Sequence, residues 1–256
     1  MSSVAITGGG RGIGLELTKQ LLELPTSRIA KVFVTTRGSA VPAELESLIG
    51  ASAGRLVNVR CEVTDGASVQ KAAAQIEAEL GDRGLDILVN NVGAMPSSFN
   101  GVTGMDADLL IRTFDVNVAS AHRVTAALIP ALRKSKEKKI IMVSSPLGSM
   151  GYGKRFQFAP VPAYKITKAA MNMLSVQYAM EYEREGFTVL AISPGWLRTE
   201  MGSEAADLDV EVGVKGVRDL ILGANSKMNG KFHNISVPGW EHADGPNQYN
   251  GKELPW

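Results

Sequence analysis

The chain has 256 residues, 45% of them apolar, which suits one α/β domain with a large core better than a pair of small ones. Its 27 basic and 26 acidic residues leave a formal charge of +1, so no excess of one sign draws it to nucleic acid or to an anionic membrane. Charged residues interrupt every long apolar run before it reaches the length of a membrane span. The first residues, Met1-Ser-Ser-Val-Ala-Ile-Thr-Gly8, enter a strand at once with no basic leader, and Cys61 has no partner for an internal disulfide. Both features fit a cytoplasmic protein. Cys61 reads as a small buried residue after a strand rather than a reactive thiol. His122, His233 and His242 show no metal-ligand spacing, so no metal site is expected.

Taken in order, the chain alternates strands with helices. Val4–Ile6 is a short apolar run that stops at Thr7-Gly8-Gly9-Gly10-Arg11-Gly12-Ile13-Gly14. A helical pattern follows, on Ile13, Leu15, Leu17, Leu21, Leu22 and Leu24, and Pro25 breaks it. A glycine-rich turn between a first strand and a first helix is where backbone N–H groups and the helix dipole hold a pyrophosphate. Lys31–Thr36 is the second strand. A fold that binds NAD would carry an acid at its end, for the ribose 2′-hydroxyl. Here that end is Thr35-Thr36-Arg37, and no acid follows until Glu44. Arg37, with Arg11 from the glycine loop, is therefore expected to embrace a 2′-phosphate, which favours NADP over NAD. The plainer reading of Arg37 is a solvated arginine at a strand end.

Pro42–Ile49 is a short helix and Arg55–Arg60 a third strand, followed by Cys61-Glu62-Val63-Thr64-Asp65. Thr64 or Asp65 caps a helix whose apolar face is Val69, Ala72, Ala73, Ile76 and Leu80. Leu85–Val89 is a fourth strand, closed by Asn90-Asn91-Val92-Gly93. Residues 106–134 read as one helix that contains Asn117 and is kinked or split at Pro130. Ile140–Val143 is a fifth strand, ending in Ser144-Ser145. An irregular stretch, 148–162, precedes a helix over 163–184. Phe187–Ile192 is a sixth strand, stopped by Ser193-Pro194-Gly195, and Lys231–Ile235 a last one. This order predicts a single-domain, doubly wound (Rossmann-like) parallel sheet over 1–256, with helices on both faces and ligands at the carboxyl ends of the strands.

On the 163–184 helix, Tyr164 and Lys168 are four apart and share a face. A phenol has a reference pKa of about 10, and a fixed positive charge nearby favours its ionised form, which would make Tyr164 a usable general acid or base. Alone, the pair carries little weight, since two solvated helix residues look the same. The polar motifs upstream, each at a strand end, give it meaning.

Together these residues resemble the short-chain dehydrogenase/reductase family along the whole chain. The family's Thr-Gly-x-x-x-Gly-x-Gly matches Thr7–Gly14, and its Asn-Asn-Ala-Gly matches Asn90–Gly93. Its catalytic asparagine, serine, tyrosine and lysine match Asn117, Ser145, Tyr164 and Lys168, with Ser144 a rival for the serine. Its nicotinamide-facing Pro-Gly matches Pro194-Gly195, with Trp196 and Thr199 just beyond. The resemblance implies an NADP(H) site built from Gly8, Gly10, Arg11, Gly12, Ile13, Gly14, Arg37, Glu62, Val63, Asn91, Val92, Gly93, Tyr164, Lys168, Pro194, Gly195, Trp196 and Thr199. Sniffer-type and C-factor carbonyl reductases are similar, with a Gly-x-Phe-x-Asn segment and a terminal Pro-Trp, here Gly230–Asn234 and Leu254–Trp256. A fainter likeness runs to fungal ketoreductases of aromatic polyketides. The chain departs from the family at Val92 for alanine, Glu62 for aspartate, Trp196 for a smaller apolar residue, and in the 19-residue spacing from Ser145 to Tyr164.

The implied activity is NADPH-dependent reduction of a small-molecule carbonyl. Tyr164 would donate the proton, Ser145 hold the carbonyl oxygen, Lys168 lower the Tyr164 pKa and bind ribose, and Asn117 hold a water or backbone group linking Lys168 to solvent. Ser145, Tyr152, Phe156, Phe158, Tyr164, Trp196 and Met201 would line an apolar pocket for a bulky or aromatic ketone, aldehyde or quinone; the aromatics equally suit packing of the loop over the core. The same tetrad also serves an alcohol dehydrogenase running the oxidation, and a non-catalytic NADP-sensing protein is the reading from another class. The family implies a homodimer or homotetramer through helices like 106–134 and 163–184, with monomers also occurring. The segment 237–249 either covers the site or makes an oligomer contact.

Overall fold

The computed structural model describes residues 1–256. Seven strands form one parallel sheet: β1 (Ser2–Ile6), β2 (Ile29–Thr36), β3 (Leu56–Arg60), β4 (Ile87–Asn90), β5 (Lys139–Val143), β6 (Thr188–Ser193) and β7 (Lys231–Asn234), in the order β3-β2-β1-β4-β5-β6-β7. Parallel strands need a crossover, and helices supply it: α1 (Gly12–Leu22), α2 (Ala43–Ala51), α3 (Gly66–Leu80), α4 (Ala107–Phe114), α5 (Ser120–Arg133), α6 (Pro162–Tyr182) and α7 (Val210–Gly223). Both faces of the sheet are therefore covered, which is why its strands are near-continuous apolar runs. Side chains alternate across it. Val4 and Ile6 join Leu17, Leu21, Leu45, Val214 and Val217 on one face, while Ala5 joins Val69, Ile76, Val124, Leu128 and Met171 on the other.

The strand order reverses between β1 and β4, which opens a crevice at their carboxyl ends. Three bonds stitch its floor. The Asn91 and Val92 N–H groups donate to Thr7 Oγ1 at 2.9 and 3.2 Å, and Asn91 Nδ2 donates to the Thr7 carbonyl at 2.9 Å. The two predicted motifs, Thr7–Gly14 and Asn90–Gly93, thus meet through their own polar groups.

One expectation fails in an informative way. Pro130 does not split off the last turn of its helix, because α5 continues through it to Arg133. The carbonyl that Pro130 cannot serve is that of Ala126, and both residues are exposed, so that carbonyl is open to solvent. The interruption falls earlier, at a π-turn over Asp115–Ala119 that separates α4 from α5 and holds Asn117. Asp65, not Thr64, caps α3, accepting the Ala67 N–H at 2.9 Å. Beyond β7 the chain doubles back along it: Ser236 bridges Asn250, His233 bridges Glu253, and Trp256 stacks on Phe232 at 5.7 Å.

Candidate active site

The crevice begins at the glycine loop. A Cβ on Gly14 would sit 2.3 Å from the Gly8 carbonyl oxygen and 2.8 Å from Asn91 Nδ2, so only glycine lets α1 pack this close to the β4 end. Arg11 stands at the N-cap of α1 and offers no side-chain cap, and no acid occupies the first turn. The amide groups there remain available to an anion, which fits a pyrophosphate. The loop leans on the end of β2 through Gly9 N–H to the Thr35 carbonyl (3.0 Å) and Gly8 N–H to Thr35 Oγ1 (3.2 Å). Arg37, exposed, follows two residues later at the rim of the loop. Arg11 is also exposed and pairs with Glu200, a residue that sequence reasoning missed. Thr199 lies beside the same loop, its Cγ2 3.6 Å from where a Gly12 Cβ would be. Glu62, at the end of β3, turns its carboxylate back to Thr64, accepting the hydroxyl at 2.8 Å and the N–H at 3.2 Å, with Val63 buried beside it. Ile13 is half-buried against the core on the α1, α2 and α7 side of the sheet.

The catalytic candidates converge at the ends of β4 and β5. Tyr164 and Lys168 lie one turn apart near the start of α6, both buried, with Lys168 Nζ 5.4 Å from the Tyr164 ring centre. Lys168 Nζ donates to the Val143 carbonyl at 2.7 Å. The two serines differ in their partners. Ser144 donates to Asn172 Oδ1 at 2.5 Å and is turned into α6. Ser145 lies close enough to the Tyr164 phenol to temper its pKa, and its Oγ accepts the Leu147 N–H at 3.2 Å. Asn117 uses both ends of its amide on the Ala94 backbone, donating to the carbonyl at 2.9 Å and accepting the N–H at 2.7 Å. Its Nδ2 also donates to Thr167 Oγ1 at 2.9 Å, and Thr167 in turn donates to the Tyr164 carbonyl at 2.9 Å. Gly93 sits between these groups: a Cβ there would be 3.5 Å from Asn117 Oδ1 and 3.6 Å from Lys168 Nζ. The π-turn makes this reach possible, since an inserted residue rotates Asn117 towards β4. Thr167 was legible only as the residue inside the Tyr164–Lys168 pair, and Ala94 carried no signal of its own.

Electrostatically the pair departs from expectation. Lys168 was expected to lower the Tyr164 pKa. Burial instead pushes the phenol up to about 12, opposed by the nearby Ser145 hydroxyl. Burial also brings the Lys168 ammonium down to about 8. Both shifts share one cause, which is that a dry site penalises the charged form of either group.

The aromatic candidates do not form one closed wall. Tyr152 and Phe156 line a cavity of about 30 Å³ with Pro146, Asn234 and the tail residues 246–250. Tyr152 also packs on the Ala191, Phe232 and Leu254 cluster. Phe158 is 65% exposed and Met201 45%. Trp196 is 39% exposed, and its indole Nε1 donates to the Gly202 carbonyl at 2.7 Å. Pro194 is buried and Gly195 half-buried directly after β6.

A crevice at the switch point, an uncapped helix terminus facing it and a buried Ser145–Tyr164–Lys168 cluster beside it define a dinucleotide-type α/β fold with a polar site at its strand ends. The model of the family described as short chain dehydrogenase matches residues 2–209, and the chain belongs to the short-chain dehydrogenase/reductase family of oxidoreductases. The short-chain dehydrogenase/reductase atnB of Arthrinium sp is 35% identical over 211 residues, 78% of this chain and 76% of that protein. An NADPH-bound carbonyl reductase from chicken fatty liver superposes with a TM-score of 0.88 at 29% identity, over 100% of this chain and 94% of that one. The carbonyl reductase Sniffer of D. melanogaster does so at 0.87 and 28%, over 100% of both chains. No helix of the chain is long and apolar enough to cross a membrane.

Proposed function

We propose that residues 1–256 form one NADPH-dependent reductase unit that converts a bulky hydrophobic or aromatic ketone, aldehyde or quinone to its alcohol. The observation that carries this reading is the Ser145–Tyr164–Lys168 cluster, buried at the end of β5 next to Gly93. NADPH, held along the glycine loop with its 2′-phosphate towards Arg37 and Arg11, supplies the hydride. Tyr164 donates its proton to the carbonyl oxygen of the substrate. Ser145 hydrogen-bonds the same oxygen and stabilises the charge that develops there. Lys168 holds ribose hydroxyls and keeps a positive charge near Tyr164 as the proton leaves. Asn117 fixes Ala94 and Thr167, and through them the spacing between the β4 end and α6.

Burial holds the Tyr164 phenol in its protonated form, the form a proton donor in reduction needs. The same group serves the reverse oxidation, so the cell's NADPH/NADP ratio sets the direction. The apolar side chains of Phe99, Phe158 and Met201 are exposed, and a large hydrophobic substrate could bury them. We assign the reaction to the reducing cytoplasm on the strength of the single free cysteine, Cys61.

The test is consumption of NADPH and NADH, in parallel, against a panel of aromatic ketones, quinones and aldehydes. Turnover with NADPH at least about tenfold above NADH is expected from loss of the Arg37 and Arg11 contacts to the 2′-phosphate. A preference for NADH would remove the case for Arg37. Tight NADPH binding with no turnover on any carbonyl would favour the sensing role instead.

A further inference from the structure

The sequence offers two roles for the segment 237–249, a cover for the site or an oligomer contact, and its contacts point to a third. Tyr249 is 2% exposed, although only seven residues follow it in the sequence. Backbone bonds clamp it: Val237 N–H donates to the Tyr249 carbonyl at 2.9 Å, and Tyr249 N–H to the Trp240 carbonyl at 3.0 Å. Its ring packs against Trp240 at 5.3 Å. The hydroxyl accepts the Trp196 N–H at 3.1 Å and donates to the Asp207 carboxylate. Asn247 Nδ2 donates to the same Asp207 oxygen at 2.7 Å.

These contacts bear on one turn, Pro194-Gly195-Trp196. Gly195 has φ +86, a conformation that side chains rarely adopt, and Tyr249 Cε1 lies 3.3 Å from where its Cβ would be. The Trp196 peptide is held on both sides, by Tyr249 at its N–H and by the Leu208 N–H at its carbonyl (3.2 Å). Arg198 N–H closes the loop onto the Leu208 carbonyl at 2.9 Å. Asp207 therefore belongs to the same loop that Tyr249 braces, and the hydroxyl ties both ends of that loop to the tail. Unbraced, a turn with a glycine at positive φ has other conformations open to it at little cost.

We propose that Tyr249, oriented by Asp207, is a positioning residue that holds the Pro194-Gly195-Trp196 turn against the nicotinamide end of the cofactor. The proposal rests on the reductase reading, in which that turn faces the nicotinamide. Tyr249 is not a proton donor. Burial and the Asp207 carboxylate both push its pKa upward, so the hydroxyl stays protonated and keeps both of its bonds through the neutral range.

Tyr249→Phe keeps the ring and removes the hydroxyl. Binding of NADPH and of its adenine half, 2′,5′-ADP, is measured by calorimetry on the full-length protein, together with kcat and KM. The expected result is a loss of about tenfold in NADPH affinity, the scale of one hydrogen bond, with 2′,5′-ADP affinity unchanged. Hydride transfer slows in parallel, and the isotope effect with 4-deuterated NADPH rises. Asp207→Ala, which leaves the tail ring in place, shows the same selective pattern to a smaller degree and serves if Tyr249→Phe does not fold. Equal losses for NADPH and 2′,5′-ADP, or no change in either, would overturn the positioning role while leaving the reductase reading intact. Failure of the unaltered protein to bind NADPH would overturn that reading, and this assignment with it.

Discussion

At the scale of single residues, desolvation acts on Tyr164 and Lys168 together and in opposite senses. It keeps the phenol protonated to about 12 and lets the ammonium lose its proton near 8. For Lys168 the unfolded chain holds its proton to about 10.5, so above the folded value the unfolded state binds more protons and stability rises with pH. Tyr164 has the reverse slope, but only from about 10 upward. The window from about 8 to 10 therefore belongs to Lys168. In thermal melts without cofactor, the unaltered protein is expected to gain about 2 kcal/mol relative to Lys168→Met across that window. A difference that stays flat from neutral pH to 10 would mean that Lys168 is not desolvated. The Tyr-x-x-x-Lys pair itself was legible, because its meaning lies in a local helical spacing. The partners of Arg11 and Trp196, Glu200 and Tyr249, were not, since only the fold brings them together.

At the scale of elements, all seven strands and their alternation with helices could be read from apolar runs and the polar or turn residues that end them. The long helix over 106–134 could not. Its apolar period survives one inserted residue, so the π-turn at Asp115–Ala119 left no mark on the pattern, whereas Pro130 left a conspicuous mark and made no break. That turn predicts a cost for Asn117→Ala. The Ala94 N–H and carbonyl and the Thr167 hydroxyl lose their shared partner, and stability should fall by about 1–3 kcal/mol in chemical denaturation. An unchanged denaturation midpoint would show that Asn117 does not bind the β4 end to α6. Gly14→Ala makes a sharper case. Its methyl meets the Gly8 carbonyl and Asn91, so a loss of about 1–3 kcal/mol is expected. NADPH binding should fall with it, because the helix terminus is displaced from the crevice. Normal binding in a stable Gly14→Ala protein would place the pyrophosphate elsewhere.

At the scale of the molecule, two surfaces remain to be accounted for. The chain's end folds back over β7, where Trp256 stacks on Phe232 and its carbonyl accepts the Gly151 N–H at 2.9 Å. The terminal Pro-Trp thus anchors the loop that carries Tyr152, a role that no local pattern revealed. The second surface is an apolar stripe on α6, Ile166, Met173 and Met180 at a spacing of seven, beside Ile111 and Phe114 on α4, all exposed. Such a patch on a folded protein marks an association surface. The chain is expected to run as a dimer or tetramer by light scattering, and Met173→Glu to shift it towards the monomer. A monomeric unaltered protein would remove that reading without touching the active site.

The most direct test of the account is the turnover of Tyr164→Phe at saturating NADPH, on whichever carbonyl the unaltered protein reduces best. The variant keeps the ring and its packing and lacks only the proton. The account predicts a fall in kcat of at least about 100-fold, the scale of general acid catalysis, with NADPH affinity within a fewfold of the original. Full turnover by the variant would contradict it, because the proton would then have to come from another group.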